Sequence, residues 1–598
     1  MSVDAKKQET PVWRLMVRLA RYRLDLFLLS ALFASILFYV TPLLPGLVIR
    51  QIFNQLSGDL QAGLNLWTLL SLLVAIAVVR QTFMIGAVLA EMTADYVAAT
   101  LMQRNVLANV LRRPGTNALP TSSGDALARL RDDVWEIAIF LTHTMDPVGQ
   151  WFVMIVGLLI LLQINGWLTL IVFGPIIITV LVVNQLSRRI QRYRQANQEA
   201  IGAVTGLLGE LFGAVQAVKI AGTEAHVVAH FEEINEARRK AGLQDIFFTR
   251  LIQSFSQNAG KIGEALLLMA LAWMLRRGEV DFTVGDFALF VSYIGWLSIV
   301  TTMFGNVLTR YRQTQISFGR VAGLMPDSPI DDMVAYHPIH MWGELPDVPF
   351  DAKSSADKLT QLTVSDLTYR YPNDTQGISD ISFTLIPGTI TVITGRVGSG
   401  KTTLLRVLLG LLPKDGGEIR WNGQLVDDAG AFLIPPRSAY TAQTPRLFSE
   451  RLVDNILMGL PQAEVDLEQA IQSAVFEQDL ATLSDGLETQ VGPRGARLSG
   501  GQMQRTAAVR MFVRNPELLV FDDLSSALDV ETERILWEKL FSRPEPPTCL
   551  VVSHRHSVLQ RADNVILLKG GEMVDCGKLD ELLDRCDEMQ ALWAETIR

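Results

Sequence analysis

The stretch Ile393-Thr-Gly-Arg-Val-Gly-Ser-Gly-Lys-Thr-Thr403 constrains this chain more than any other. A β-branched apolar run precedes it and the helical pattern Leu404 to Leu412 follows, so it reads as strand, loop and helix in succession. The loop fits GxxxxGK[ST]. Gly395, Gly398 and Gly400 let the backbone curl until its N–H groups, with those of Arg396, Val397 and Ser399, point inward around phosphate oxygens. Lys401 supplies a mobile cation for the β and γ phosphates, and Thr402, followed by Thr403, supplies a hydroxyl for Mg²⁺. The positive end of the next helix adds to the attraction. A nucleotide phosphate cradle of this kind sits in an α/β domain.

The rest of the chain has to be accommodated around that domain. At 598 residues it exceeds what one hydrophobic core supports, and 49% of it is apolar. The apolar residues are uneven: long uncharged runs fill the first half and ordinary globular patterning fills the second. A net charge of −9, with no basic patch interleaved with aromatics, argues against nucleic acid as a partner. Cys549, Cys576 and Cys586 lack metal-ligand spacing, which suits free thiols in a reducing compartment. Met1 to Thr10 is polar and has no apolar core with a cleavage site, so no removable signal peptide is expected.

Pro11 to Tyr22 interleaves apolar residues with Arg14, Arg18 and Arg21, a basic amphipathic pattern suited to the cytoplasmic membrane surface. Six apolar segments follow, about Leu26–Ile49, Trp67–Ala90, Asp146–Gln163, Trp167–Gln185, Leu251–Leu275 and Val284–Val307, most of them long enough to cross a bilayer. Ile164, Asn165 and Gly166 alone join the third to the fourth, which makes a tight helical hairpin. Arginines cluster in two connections, Arg104 to Arg131 and Arg188 to Arg239. The positive-inside bias puts both, and the N-terminus, in the cytoplasm. Helical periodicity through Glu91–Leu111, Gly124–Phe140, Arg188–Ile220 and Val227–Phe247 extends the membrane helices into the cytoplasm. Breaks at Pro114–Gly124 and around Gly222–His226 are the expected tips. Pro42 and Pro45 predict a kink in the first segment.

Gln253, Gln257, Lys261 and Glu264 share one face of the fifth segment. Polar groups at that depth face either a water-filled cavity or a hydrogen-bonded seam with another helix. Lys261 and Glu264, one turn apart, are placed to neutralise each other. Arg80 and Gln81 are further cavity candidates, and Asp146 lies either in the cavity or at the membrane surface.

Met325 to Lys358 is rich in Pro, Asp and His, has no sustained periodicity, and reads as a linker. Beyond it, Leu362–Tyr371 and Ile381–Leu385 alternate like strands. Tyr371, just before Pro372, is either an adenine-stacking ring or only a strand residue. Leu518-Leu-Val-Phe-Asp-Asp523 is a buried-strand run ending in two carboxylates. In that position Asp522 holds Mg²⁺ and Asp523 polarises the attacking water.

With these parts in this order, the chain resembles an ATP-binding cassette (ABC) exporter half-transporter: an α-helical six-span transmembrane domain followed by an α/β P-loop ABC ATPase domain. Leu498-Ser-Gly-Gly-Gln502, standing before a helix that leads to the Asp522 strand, is the motif that separates this family from other P-loop ATPases. The resemblance runs by motif from about Leu362 to Arg585 and by topology through the membrane half. It implies a cytoplasmic tail and amphipathic elbow helix over 1–24, a transmembrane domain over 25–324, a linker over 325–358 and a nucleotide-binding domain over 359–598. It further implies that Gln443 joins the metal site to the membrane domain, and that Mg²⁺ is held by Thr402, Asp522 and Gln443. Tyr371 would stack on adenine, His554 would contact the γ-phosphate, and Ser526 to Asp529 would form the D-loop. Ser499, Gly500, Gly501 and Gln502 would bind a nucleotide carried by a second subunit, since one domain cannot fold that helix tip onto its own phosphate loop. Thr489 to Gly495 resembles the segment that meets the opposite membrane domain, and the breaks near Pro114 and Thr223 match the two coupling helices. The implied setting is a multi-pass protein of a bacterial inner or cell membrane, its ATPase domain cytoplasmic, driving export of amphipathic small molecules, lipids or peptides.

One position departs from the family. The residue after the Walker B aspartate is usually Glu, and here it is Asp523. Losing a methylene withdraws the carboxylate by roughly 1.5 Å, and misplacement of about 1 Å costs around a hundredfold in rate. Slow hydrolysis at this chain's own phosphate loop, with the signature at Leu498–Gln502 intact, favours one subunit of a heterodimeric exporter. The alternatives are a homodimer in which Asp523 works through relaxed geometry, and a membrane regulator or channel that uses ATP as a switch.

Overall fold

The computed structural model describes every residue except 1–10, 59–63, 116–118, 145, 278–281, 347, 349–352, 373–376, 493–494, 496, 525–529 and 596–598. The chain divides into two compact units, one of Met1–Asn109 with Pro120–Met341, the other of Val110–Leu119 with Trp342–Arg598.

Among the described residues the regular elements of the first unit are all helices. An amphipathic helix, α1 (Val12–Tyr22), turns Leu15, Met16 and Leu19 inward and leaves Trp13, Arg14, Val17, Arg18 and Arg21 outside. The first apolar segment is split into α2 (Leu24–Ser35) and α3 (Leu43–Leu56) by a π-helical stretch at Ile36–Val40 and a turn at Thr41–Pro42. The prolines explain the split, since neither Pro42 nor Pro45 has an N–H for the helical ladder. Gly46 then lets the Tyr293 ring come in, as a Cβ there would stand 2.5 Å from Tyr293 Cε1. The Tyr293 hydroxyl donates to the Leu43 carbonyl at 2.8 Å.

The remaining helices are α4 (Leu66–Arg112), α5 (Ser123–Ala128), α6 (Val134–Thr142), α7 (Asp146–Ile164), α8 (Gly166–Gly213), α9 (Val215–Ala221), α10 (Glu224–Arg277) and α11 (Val284–Ala322). Asn165 is the one residue between α7 and α8, and its side chain caps α8 by accepting from Leu168 N at 3.0 Å. Leu161, Leu168, Val172, Leu267, Phe290 and Tyr293 form a common core. Apolar side chains such as Leu28, Leu32, Val74, Val78, Leu159 and Leu170 stay outside, as helices facing lipid tails allow. Length and apolarity alone single out one described helix as membrane-crossing, α4. The apolar parts Leu24–Ser35, Gly149–Ile164, Gly166–Thr179 and Val284–Leu297 are shorter.

Two expectations need correction. Helix was expected unbroken from Arg188 to Ile220, yet the chain bends by 73° between Arg192–Gly213 and Val215–Ala221. Gly213 carries no side chain to hold the turn, and Ala214 leaves helical geometry at ψ 17°. Lys261 and Glu264 form no ion pair among the described residues: Lys261 is exposed and Glu264 half-buried. The side chains of Asp146 and Gln257 lie outside the described residues.

The first part of the stretch read as a linker is built into the first unit. Met325, Met333 and Val334 are buried. Asn105 of α4 donates to the carbonyls of Met333 at 3.1 Å and Ala335 at 2.8 Å. The Tyr22 hydroxyl donates to His337 O, and the Tyr336 hydroxyl to Arg18 O, each at 2.7 Å.

The second unit holds two sheets. A four-stranded antiparallel sheet has the order β2-β1-β4-β5, from β1 (Leu362–Arg370), β2 (Gly377–Leu385), β4 (Gly416–Trp421) and β5 (Gln424–Leu425). A six-stranded sheet has the order β10-β9-β3-β8-β7-β6, from β3 (Ile390–Thr394), β6 (Ser438–Thr441), β7 (Leu518–Asp522), β8 (Thr548–Val552), β9 (Asn564–Lys569) and β10 (Glu572–Gly577). Its pairings are parallel except that of β9 with β10. Strands β3, β7 and β8 are buried along their whole length, as parallel strands covered on both faces must be. Alternate residues feed opposite cores: Val392, Phe521 and Val551 one, and Ile393, Val520 and Val552 the other. The carboxyl ends of these parallel strands form one edge, where ligands of α/β sheets bind.

Candidate active site

At that edge β3 gives way to the loop Gly395–Gly400 and then to α12 (Lys401–Leu408). Gly395, Gly398 and Gly400 take φ values of 143°, 83° and 97°, all in the range that glycine tolerates. A Cβ on Gly395 would also run into the carbonyl oxygen of Leu568. The loop is braced by Ser399 N donating to Arg396 O at 3.1 Å and Gly571 N donating to Ser399 O at 3.2 Å.

Lys401 opens α12 and folds back into the loop, its Nζ donating to Gly395 O at 2.7 Å and Arg396 O at 2.9 Å. Burial pushes its pKa down, and the charges of Asp522 and Asp523 pull it back up. One residue on, Thr402 Oγ1 donates to Asp522 Oδ1 at 3.0 Å. The other Asp522 oxygen accepts from the Tyr440 hydroxyl at 3.2 Å. Asp522 ends β7, and burial raises its carboxyl above the usual range despite these donors. The donor set, a hydroxyl and a carboxylate with the Gln443 amide close by, suits a hard cation. Among the described residues no group of three His, Cys, Asp or Glu stands ready as a full metal cage. Mg²⁺ meets that condition, since it commonly takes one or two carboxylates and fills its shell with water and phosphate oxygens.

Asp523 leaves the strand with φ 54°, a left-handed conformation that aspartate adopts more readily than most residues. Its N–H donates to Val552 O at 3.1 Å, and its Oδ2 accepts from Gln443 Nε2 at 3.3 Å. Burial raises its pKa, and the Gln443 donor works against that rise. His554 follows β8 on the neighbouring strand. Burial, reinforced by the charge of Lys401, lowers its pKa and holds the imidazole neutral.

Tyr371 lies just beyond β1, its hydroxyl 3.3 Å from Thr403 Oγ1 and its ring edge-on to Tyr369 at 5.0 Å between centroids. It is therefore not a residue of the strand. Phosphate loop, Thr402, Asp522, Asp523, Gln443, His554 and Tyr371 are thus connected around one strand edge, directly or through a single neighbour.

The Ser499–Gln502 group belongs elsewhere. Ser499 caps the helix Gly500–Phe512, its Oγ accepting from Gln502 N at 3.2 Å while its own N–H donates to Gln502 Oε1 at 2.9 Å. Among the described residues none of these four is hydrogen-bonded to the phosphate loop. The helix reaches the site through Gln504, whose Nε2 donates to Gln443 O at 3.2 Å. Asp529 and the rest of the D-loop lie outside the described residues.

Some residues of the site went unread in the sequence. Tyr440 is one, and the pairing of β6 with β7, which sets Tyr440 beside Val520, is what reveals it. The others are charges gathered on Arg396. Glu588, on the helix Asp587–Glu595, accepts from Arg396 Nε at 2.9 Å and from Lys569 Nζ at 2.7 Å, and Glu595 lies 3.4 Å from Arg396. Arg80 also has a partner, its guanidinium 5.9 Å from the ring centre of Trp296.

Known proteins resemble this chain. Residues 26–300 match the ABC transporter transmembrane region and residues 378–526 the ABC transporter family. An ATP-dependent lipid A-core flippase of Xanthomonas oryzae pv. oryzae (strain MAFF 311018) is 28% identical over 485 residues, 80% of this chain and 79% of that protein. The probable multidrug resistance ABC transporter ATP-binding/permease protein YheI of Bacillus subtilis (strain 168) is 28% identical over 470 residues, 77% of this chain and 76% of its own. A solved bacterial Atm1-family ABC exporter with ATP bound has a TM-score of 0.73 at 22% identity, over 97% of this chain and 100% of that one, and so shares the fold.

Proposed function

This chain belongs to the ABC transporters as an exporter half-transporter, an ATP-hydrolysing multi-pass membrane protein, and on that premise we propose that it moves an amphipathic, lipid-like molecule across the membrane as one half of a heterodimer. The similarity to lipid A-core flippases and to a probable multidrug transporter supports an amphipathic cargo. The polar face of Gln253, Lys261 and Glu264, with Arg80 beside Trp296, supports a cargo that carries polar groups as well.

In this reading the loop N–H groups and Lys401 hold the phosphates, and Tyr371 stacks on the adenine. Thr402, Asp522 and Gln443 would hold Mg²⁺, which when bound would offset charge on the phosphates. Asp523 accepts a hydrogen bond from the attacking water, and the neutral His554 imidazole donates one to the γ-phosphate. Ser499 and Gly501, at the start of their helix, close on the nucleotide carried by the partner subunit. Closure draws the two ATPase domains together, and the membrane halves reopen on the far side.

The observation that carries the heterodimer is Asp523, a residue shorter than the family's glutamate, hydrogen-bonded to Gln443 on a left-handed backbone. We expect the chain purified alone to hydrolyse ATP about a hundredfold more slowly than the co-purified pair, the cost of roughly 1 Å of misplacement. Robust turnover by the chain alone, abolished in Asp523→Ala, would falsify the heterodimer and favour a homodimer. The neutral His554 and the intact contact between Gln443 and Asp523 are what favour that second reading.

A further inference from the structure

The outward face of α1 forms one wall of a cleft, and the far wall is Tyr336. The cleft has a volume of about 470 Å³ and is lined by Trp13, Arg14, Val17, Arg18, Arg21 and Tyr336. Three arginines therefore line a space edged by two aromatic rings. Among the described residues Arg14 and Arg21 have no acidic partner. Arg18 has one at the limit of reach, Asp331 at 4.0 Å, and both side chains are nearly half exposed, so that pair offsets little of the charge. The walls are held in register: the Tyr336 hydroxyl donates to Arg18 O at 2.7 Å, the Arg18 guanidinium lies 5.9 Å from the Tyr336 ring centre, and Tyr22 packs on Tyr336 at 5.5 Å.

The level of the cleft is set by the chain itself. Only Arg23 separates α1 from α2, whose Leu24, Leu28, Leu29 and Leu32 are exposed as lipid-facing side chains are. Trp13, 55% exposed, adds the amphipathic ring that favours the headgroup layer. A tryptophan, a tyrosine and three arginines at headgroup depth have the chemistry to take a phosphodiester whose acyl chains continue into the bilayer.

We propose that the cleft between α1 and Tyr336 is a binding site for the headgroup of an anionic phospholipid, separate from the cargo path. The lipid occupies the arginine face and stays with the protein. Its phosphate bridges Arg14, Arg18 and Arg21, and its presence braces the strap that Tyr336 makes across α1. This site stands whether or not the heterodimer reading does, since it uses no residue of the ATPase domain.

The test uses the full-length chain, delipidated in mild detergent and titrated with phosphatidylglycerol, with bound lipid counted by native mass spectrometry. Phosphatidylglycerol should bind in preference to phosphatidylcholine. Each guanidinium removed in the series Arg14→Gln, Arg18→Gln and Arg21→Gln should weaken it by about fivefold, the weight of roughly 1 kcal/mol for a basic residue beside an anionic surface. Nucleotide binding at Lys401 serves as the check that the variants fold. If the triple variant does not fold, Arg14→Gln alone, an exposed change, should still show the fivefold loss. Equal retention of phosphatidylglycerol by wild type and variants, or equal binding of the two lipids, overturns the proposal. Displacement of the lipid by millimolar inorganic phosphate also overturns it, because the site would then belong to a soluble anion.

Discussion

Asp522 keeps a carboxylate in a place that resists one. Burial raises its pKa, and the hydroxyls of Thr402 and Tyr440 oppose that rise with one hydrogen bond each. A bond to a charged acceptor contributes about 1.5 kcal/mol or more, roughly tenfold in an equilibrium. Tyr440→Phe should therefore raise the Mg²⁺ concentration for half-maximal ATPase activity by about tenfold. Nucleotide binding measured without Mg²⁺ should stay unchanged. His554 offers a pH test. Its folded pKa lies below the ordinary value of about 6.5, so the neutral form is the stable one in the fold. The stability this contributes is present above that value and lost as pH falls through the folded pKa, because the unfolded chain binds the proton first. Melting temperature should fall more steeply as pH drops below about 6.5 in the wild type than in His554→Gln, which has nothing to titrate. The meeting of Lys401, Thr402 and Asp522 at one strand edge was legible from sequence because each stands at a fixed offset from a glycine or a strand end. Tyr440 was not: it depends on a strand pairing between residues far apart in the chain, which no local pattern announces.

Among the elements, the one that most changes the picture is the helix Asp587–Glu595. It carries Glu588 and Glu595 to Arg396 in the phosphate loop, and Glu588 also takes Lys569. The same helix sets Trp593 against His556, stacked at 3.7 Å between centroids. Charge thus ties this helix to the phosphate loop near both of its ends, and the Trp593 ring ties it to His556 beyond β8. Glu588→Gln removes the charge tie, and amide hydrogen exchange at Arg396 to Ser399 should then speed up while β3 stays as protected as before. Unchanged exchange in the loop would mean the tie has no grip on it. No motif predicts such a contact, since it joins a variable position of the loop to a helix nearly two hundred residues later. The breaks between helices divide in the same way. Proline and glycine announced the split of the first apolar segment and the end of α9 at Gly222, whose φ is 62°. The bend after Gly213 was hidden inside a stretch whose apolar spacing continued on both sides, so periodicity ran straight through it. The first part of the supposed linker was misread because Met325, Met333 and Val334 are buried without repeating at any helical or strand interval.

At the scale of the whole molecule, the proposed function takes half of each nucleotide site from a second subunit. The helix tip at Ser499, which on that reading receives the partner's nucleotide, makes no hydrogen bond to its own chain's phosphate loop among the described residues. In a heterodimer with one slow site the two halves of this chain are then unequal in importance. Lys401→Ala disables the slow site and should leave most of the pair's ATPase turnover. Ser499→Ala disables this chain's share of the competent site and should remove most of it, although the lost helix cap itself costs only about 1 kcal/mol of stability. Steady-state ATPase assays on co-purified pairs, one variant at a time, decide the matter, and equal losses from both changes would point to two equivalent sites. Helix α4 bears on how either arrangement would do work. It runs unbroken from Leu66 to Arg112, and its last three residues belong to the unit that contains the ATPase sheets. A rod of that length, about 70 Å at 1.5 Å per residue, cannot be stretched or slackened without breaking its backbone ladder. On the proposed function, an axial push that reaches Arg112 would be passed toward Leu66 by a strut rather than a spring.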